Sequence, residues 1–160
     1  MTQHVAVTVI TVSNRCARGE REDRSGAEAA RRLSEAGYDV APVQVIPDGA
    51  EGVSEAITAA VDAGARVVLT TGGTGISPQD RTPEGTEPIL DRTLPGVAAA
   101  IRQRDADLVP TAVLSRGLAG TRGHTLVVNA PGSLGGVTTA LDVLLPLIPH
   151  VLSQLDGGDH

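Results

Sequence analysis

Short apolar runs and helical-period stretches alternate along this chain. Residues 5–12 (VAVTVITV) are almost wholly apolar or threonine, and the run Val67-Val68-Leu69 lies between turn residues. Both predict strands buried on two faces, since a strand with one wet face alternates instead. Residues 38–46 (YDVAPVQVI) do alternate and predict a third strand, with Pro42 placing it nearer an edge because proline has no N–H for a ladder. TAVL at 111–114 and TLVVN at 125–129 predict two more strands, joined by Ser115-Arg116 and a glycine-rich turn over 117–123. Small and aliphatic residues recur at helical spacing from about Ser25, and Gly37 then serves as C-cap. Residues 50–64 predict a second amphipathic helix with Val53, Ile57 and Val61 on one face. Residues 86–107 read as mostly helical, interrupted at Pro95-Gly96. Residues 134–155 read as an apolar last helix, bent or broken by Pro146 and Pro149.

Strands alternating with helices of a dozen residues predict an α/β fold: three αβα layers around a mainly parallel sheet. Right-handed crossovers bring the C-terminal ends of the parallel strands to one edge of that sheet, where open sheets of this kind bind ligands. One domain is expected over 1–155, with a disordered tail at 156–160 (DGGDH).

Composition narrows the chemistry. The core must be aliphatic, because Tyr38 is the sole aromatic residue. No apolar run reads as a membrane span, and the N-terminus lacks a basic region and a cleavage site, so a cytoplasmic protein is expected. The single cysteine, Cys16, fits a reducing compartment. A net charge of −6, with no basic stripe and no stacking aromatics, argues against nucleic acid as a partner. All 13 basic residues are arginine, which excludes a Walker-type lysine loop and a Schiff base. The four histidines and Cys16 are too scattered for a zinc cage.

The segments that follow the strands carry the candidate site. Ser13 follows the first strand, Asp48 the second, Gly72, Gly73, Thr74 and Gly75 the third, and Pro131, Gly132 and Ser133 the last; Asp80 hangs from the third loop. Singly, Ser13 and Asp48 read as turn residues, Asp23 as a helix cap or a solvated charge, and Ser115-Arg116 as a surface pair. Together they predict a cleft with carboxylates, hydroxyls, exposed N–H groups and an arginine. That set suits a Mg²⁺-dependent nucleotide reaction, because Mg²⁺ prefers one or two carboxylates beside phosphate oxygens and waters, and glycine loops and helix N-termini donate to phosphate. Asp48 and Asp80 would share the metal, or one would orient the attacking group. A dinucleotide fingerprint lacks its third glycine, and no G-x-S-x-G elbow occurs.

TVSNR at 11–15, DRSG at 23–26, IPD at 46–48, TTGGTG at 70–75, QDRTPEG at 79–85, LSR at 114–116 and PGS at 131–133 resemble the Mog/MoaB family of molybdenum-cofactor biosynthesis over nearly the whole chain. The resemblance implies a molybdopterin-binding α/β fold, usually a homotrimer. It implies adenylylation of molybdopterin by ATP with Mg²⁺ and release of pyrophosphate, in company with other proteins of that pathway. It assigns Asp80 to metal and phosphates and Asp48 to metal or nucleophile positioning. Ser13, Asp23, the glycine loop, Ser115 and Pro131 to Ser133 fall on its ligand-binding loops. Members that lack the activity tend to have lost the acid at Asp48; this chain keeps it. The alternative expectation is a carrier that holds molybdopterin without catalysis.

Overall fold

A computed structural model describes residues 4–159. Three strands make its centre, β1 (Ala6–Val12), β4 (Val67–Thr71) and β7 (Thr125–Ala130), parallel to one another with β4 in the middle. Their side chains alternate between two buried faces. Val7, Val9, Leu69, Leu126 and Val128 point to one, and Ile10, Val12, Val68 and Val127 to the other. The first face is covered by α2 (Arg24–Glu35), α5 (Pro95–Ala106) and α6 (Leu134–Leu155), and the second by α3 (Ala50–Asp62). The layers are therefore αβα, as expected. A four-residue α1 (Asn14–Ala17) follows β1 directly.

The alternating segment at 38–46 forms two short strands, β2 (Asp39–Val40) and β3 (Gln44–Ile46), both parallel to β1. Pro42 falls in the gap, where a ladder donor is missing. Sheet order is β2-β1-β4-β7-β6-β5, with β3 beside β1 as well, and the antiparallel β5 (Arg92–Thr93) and β6 (Ala119–Arg122) make the far edge.

Several expectations need correction. The TAVL segment is not a strand but part of a 3₁₀ turn (Pro110–Leu114), opened by Pro110, with Val113 and Leu114 exposed. The predicted glycine turn at 117–123 instead contains β6. A Cβ on Gly120 would lie 2.4 Å from Arg92 O, so glycine is what lets β5 approach. Residues 86–107 are not one interrupted helix either. After α4 (Thr82–Thr86) come a 3₁₀ turn and β5, and Pro95 starts α5 rather than breaking it, in the first turn where its missing N–H costs nothing.

α6 runs unbroken through Pro146 and Pro149, both on its exposed side, while Val137, Leu141, Leu144, Ile148 and Leu152 are buried. At 22 residues, with an 18-residue stretch of mean hydropathy 1.4, it is, among the described residues, the one helix long and apolar enough to cross a membrane, contrary to the sequence reading. Its apolar face is occupied by the core, and Asp142 on its flank pairs with Arg32 of α2 at 2.8 Å. Beyond α6, Asp156 accepts a 2.8 Å hydrogen bond from Arg66, and Gly158 N–H donates to Ser153 O. His160, the end of the segment expected to be disordered, lies outside the described residues.

Candidate active site

The loops after β1, β3, β4 and β7 converge at the C-terminal edge of the parallel strands. The first two are tied together: Asn14 N–H donates to Asp48 Oδ2, and Asp48 N–H donates back to Asn14 Oδ1, both at 3.0 Å. Ser13 N–H donates to Ile46 O and its hydroxyl caps α1 through Cys16 N–H. The reciprocal pair fixes the Asp48 backbone and leaves Oδ1 of its carboxylate without a protein partner among the described residues.

The loop after β4 reverses direction at Gly72 (φ +100°) and Gly73 (φ +68°), in the left-handed region where a side chain is strained. A Cβ on Gly72 would meet Val12 O at 2.3 Å, so the loop lies against the end of β1. Buried Thr82 then holds the loop from below, its hydroxyl donating to Gly72 O at 2.9 Å and its N–H to Gly73 O at 3.1 Å. Beneath that, Asn129 of β7 donates to the hydroxyls of Thr70 and Thr86, at 2.9 and 3.0 Å; the buried Thr70 hydroxyl gains its partner in this way, while that of Thr86 also donates to Thr82 O at 2.8 Å.

Arg116 holds the other side of the loop. Its N–H donates to Thr74 O, its Nε to Gly75 O and its Nη2 to Asp80 O, each at 2.8 Å, and its Nη1 reaches both oxygens of Glu84 at 2.9 and 2.7 Å. The hydrogen bond from Arg116 holds the Glu84 carboxyl below the usual carboxylate range, and the same contact raises the Arg116 pKa. With the loop carbonyls drawn back to Thr82 and Arg116, the backbone N–H groups of Gly73, Thr74 and Gly75 donate to no protein acceptor among the described residues. Unpaired N–H groups in a glycine loop are the kind of donor that holds an anion. Asp80 sits beside it, with Oδ2 accepting from Ser77 N–H at 3.0 Å and lying 2.8 Å from where a Cβ of Gly75 would be.

Two helix N-termini complete the wall. Asp23 caps α2 through Gly26 N–H and also accepts from the Thr11 hydroxyl at 2.8 Å, so both its oxygens are engaged. Ser25 of α2 bonds Thr71 at 2.7 Å. Ser133 caps α6 through Gly136 N–H, and Gly132 lies so close to Gly72 that a Cβ would stand 3.1 Å from the Gly72 Cα. The positive ends of α2 and α6 both favour an anion here.

A cavity of about 500 Å³ is lined by Ser13, Asp23, Asp48, Gly72, Gly73, Asp80, Gly132 and Ser133 among the expected residues. Thr74, Gly75, Ser115 and Pro131 line a second cavity of about 280 Å³, which shares Ser133 with the first. Arg116 lines neither and stands behind the loop. Sequence reasoning missed the Asn14 partnership, Glu84, Thr82 and the cavity-lining arginines Arg21 and Arg24. Asn14 and Glu84 lay inside the SNR and TPEG segments, but their partners are distant in the chain.

Among the described residues no three His, Cys, Asp or Glu side chains converge as a ready-made metal cage. Asp48 and Asp80 do line one cavity, each with one oxygen committed to a backbone N–H. That set of two carboxylates fits an ion such as Mg²⁺, which keeps waters and completes its shell with substrate phosphate.

Fold and site together define a class: a wound α/β domain whose glycine loop and acids meet at the C-terminal edge of the sheet, where such folds bind ligands. Residues 8–150 match the family model described as "Probable molybdopterin binding domain". The protein belongs to this family. A Mog protein of molybdopterin biosynthesis from Mycobacterium ulcerans is 44% identical, with a TM-score of 0.89 over 96% of this chain and 99% of that one. A molybdopterin adenylyltransferase from Pyrococcus furiosus is 39% identical, covering 91% of this chain and 88% of the relative. A molybdenum cofactor biosynthesis bifunctional protein from Synechococcus elongatus is 37% identical over 98% of this chain. The chain spans 49% of that bifunctional protein and 22% of a gephyrin from Dictyostelium discoideum.

Proposed function

We propose that this protein is a molybdopterin adenylyltransferase, joining the terminal phosphate of molybdopterin to the adenylyl group of ATP. One observation carries the reading: the main cavity gathers Asp48, Asp80, Gly72, Gly73 and two helix N-termini on one sheet edge. Relatives that match this chain along most of their own length carry that name.

In the reaction, a phosphate oxygen of molybdopterin forms a bond to the α-phosphorus of ATP. The bond from that phosphorus to the bridging oxygen breaks, and pyrophosphate leaves. The chain's task is to align two polyanions and offset their charge. The free N–H groups of Gly73, Thr74 and Gly75 would hold phosphate oxygens, assisted by the N-termini of α2 and α6. Arg21 and Arg24, exposed residues that line the cavity, would draw the polyanions in. Asp48 and Asp80 would hold Mg²⁺, which when bound neutralises phosphate charge. Asp23, with both oxygens engaged, shapes the wall rather than binding metal, and Ser115 serves the second cavity.

Further parts of the reading rest on the resemblance to the family: assembly as a homotrimer and work beside other proteins of the same pathway. A cytoplasmic location is supported by the lone Cys16. Sedimentation equilibrium tests the trimer. The catalytic reading is tested by incubating purified protein with molybdopterin, ATP and Mg²⁺ and following pyrophosphate. Molybdopterin-dependent release is expected; molybdopterin binding with no pyrophosphate above background would leave a carrier instead.

A further inference from the structure

We propose that a polar cleft bordering Asp48 and Asp80 receives the pyrophosphate leaving group, with Arg15 as the cation that offsets its charge. This rests on the reading of the protein as an adenylyltransferase, and it adds a compartment and a residue which that reading leaves without a role.

The cleft has a volume of about 410 Å³ and shares only Ser13, Asp48 and Asp80 with the main cavity. Every residue that lines it is polar or charged. The other two cavities differ: the main one has Val12 and Leu134 on its wall, and the second has Val109, Leu114 and Pro131. Flat heterocycles seek apolar walls, which directs adenine and pterin away from the cleft. A small anion suits it instead, because each phosphate oxygen needs a hydrogen-bond partner in place of the water it leaves.

Two arginines line the cleft, and one of them is free. Arg18 is held by Glu20, its Nε and Nη2 donating to the two carboxylate oxygens at 3.0 and 3.2 Å. Arg15 is exposed and makes no side-chain hydrogen bond or ion pair among the described residues. Its backbone is nonetheless fixed, because the Ser13 cap and the reciprocal Asn14–Asp48 bonds hold the turn that carries it. The reaction needs such a compartment. As the molybdopterin phosphate oxygen bonds to the α-phosphorus, the bridging oxygen departs with the electron pair, and the attacking and leaving oxygens lie roughly in line. Two cavities that meet at Asp48 and Asp80 give the two groups separate places, with the α-phosphorus at the seam. Arg15 then meets negative charge where it develops on the leaving group.

Pyrophosphate itself is the probe, titrated into the full chain by isothermal calorimetry. Mg²⁺ is present throughout, because two carboxylates on the wall repel a bare polyanion. Pyrophosphate should bind together with AMP but compete with ATP, which carries the same two phosphates. Arg15→Ala should weaken pyrophosphate ~10-fold, the loss of about one charge-assisted hydrogen bond, and leave the AMP affinity unchanged. Arg104→Ala removes the same charge from α5 at a side chain that lines none of these three cavities, and it should change neither affinity. Circular dichroism checks that each variant folds. Three results would each overturn the proposal: no pyrophosphate binding to wild type, competition between pyrophosphate and AMP, or an Arg15→Ala loss that is absent or matched by Arg104→Ala. The transferase reading fails separately. Arg15-dependent pyrophosphate binding in a protein that releases none from molybdopterin and ATP keeps the cleft and sinks the enzyme. Molybdopterin-dependent release, with pyrophosphate binding indifferent to Arg15, does the reverse.

Discussion

Replacing Arg116 by alanine removes the group that draws the carbonyls of Gly75 and Asp80 back behind the loop, although Arg116 lines neither cavity. Charge-assisted hydrogen bonds contribute about 1.5–3 kcal/mol when buried, and exposed ion pairs about 0–1 kcal/mol. The Arg116 and Glu84 side chains are 39% and 29% exposed, so an intermediate ~1 kcal/mol for each of Gly75 O, Asp80 O and the Glu84 carboxylate gives roughly 3 kcal/mol in all. An ordinary domain has ~5–15 kcal/mol in hand, so the variant folds, with Tm lowered by roughly 6–12 °C. Turnover should fall further than binding. With its carbonyls released, the loop no longer aims its N–H groups, and a misplacement of about 1 Å costs on the order of 100-fold in kcat. Arg116→Lys should resemble alanine more than wild type, because one ammonium cannot span three acceptors.

The pH dependence supplies a control. Arg116 holds Glu84 below the usual carboxylate range. A depressed carboxyl stabilises the fold above its unfolded pKa of about 4.3, and that contribution is lost as pH falls through the lower folded value. The Tm gap between wild type and Arg116→Ala should therefore narrow as the buffer is taken from about pH 6 to about pH 3, through the unfolded carboxyl's range. Differential scanning calorimetry and steady-state kinetics measure both effects. A variant with wild-type kcat, or a Tm gap that widens in acid, refutes the positioning role.

Other substitutions probe the rest of the account. Asp80→Asn and Asp48→Ala should each lower kcat by on the order of 100-fold or more in the pyrophosphate assay, with circular dichroism unchanged. Gly72→Ala should destabilise by more than ~1–3 kcal/mol in urea, since a Cβ there meets a backbone oxygen that cannot swing away. Leu141→Ala, which opens a hole in the wholly buried face of α6, should cost about 2–5 kcal/mol by the same measurement and leave KM for ATP as it was.

The contrast between what the sequence disclosed and what it hid has a physical origin. β1, β4 and β7 were legible because strands buried on both faces need unbroken apolar, β-branched-rich runs, and the rule that ligands meet the C-terminal edge then grouped Ser13, Asp48 and the glycine loop. β5 and β6 were not. One is two residues long, and the other is built on Gly120 because backbone approach, not side-chain pattern, makes that edge. Val113 and Leu114 misled for the opposite reason, as apolar residues left on the surface of a 3₁₀ turn. Within the site, residue types could be read but partnerships could not. Asn14 finds Asp48 across 34 positions and Arg116 finds Glu84 across 32, and no local spacing encodes either meeting.

The most direct measurement is the anomalous signal of Mn²⁺, standing in for Mg²⁺, in crystals grown with a non-hydrolysable ATP analogue. The account predicts one manganese peak touching both Asp48 and Asp80, with analogue phosphate oxygens on the N–H groups of the glycine loop. A nucleotide bound away from that loop, or a metal that touches neither aspartate, would contradict it.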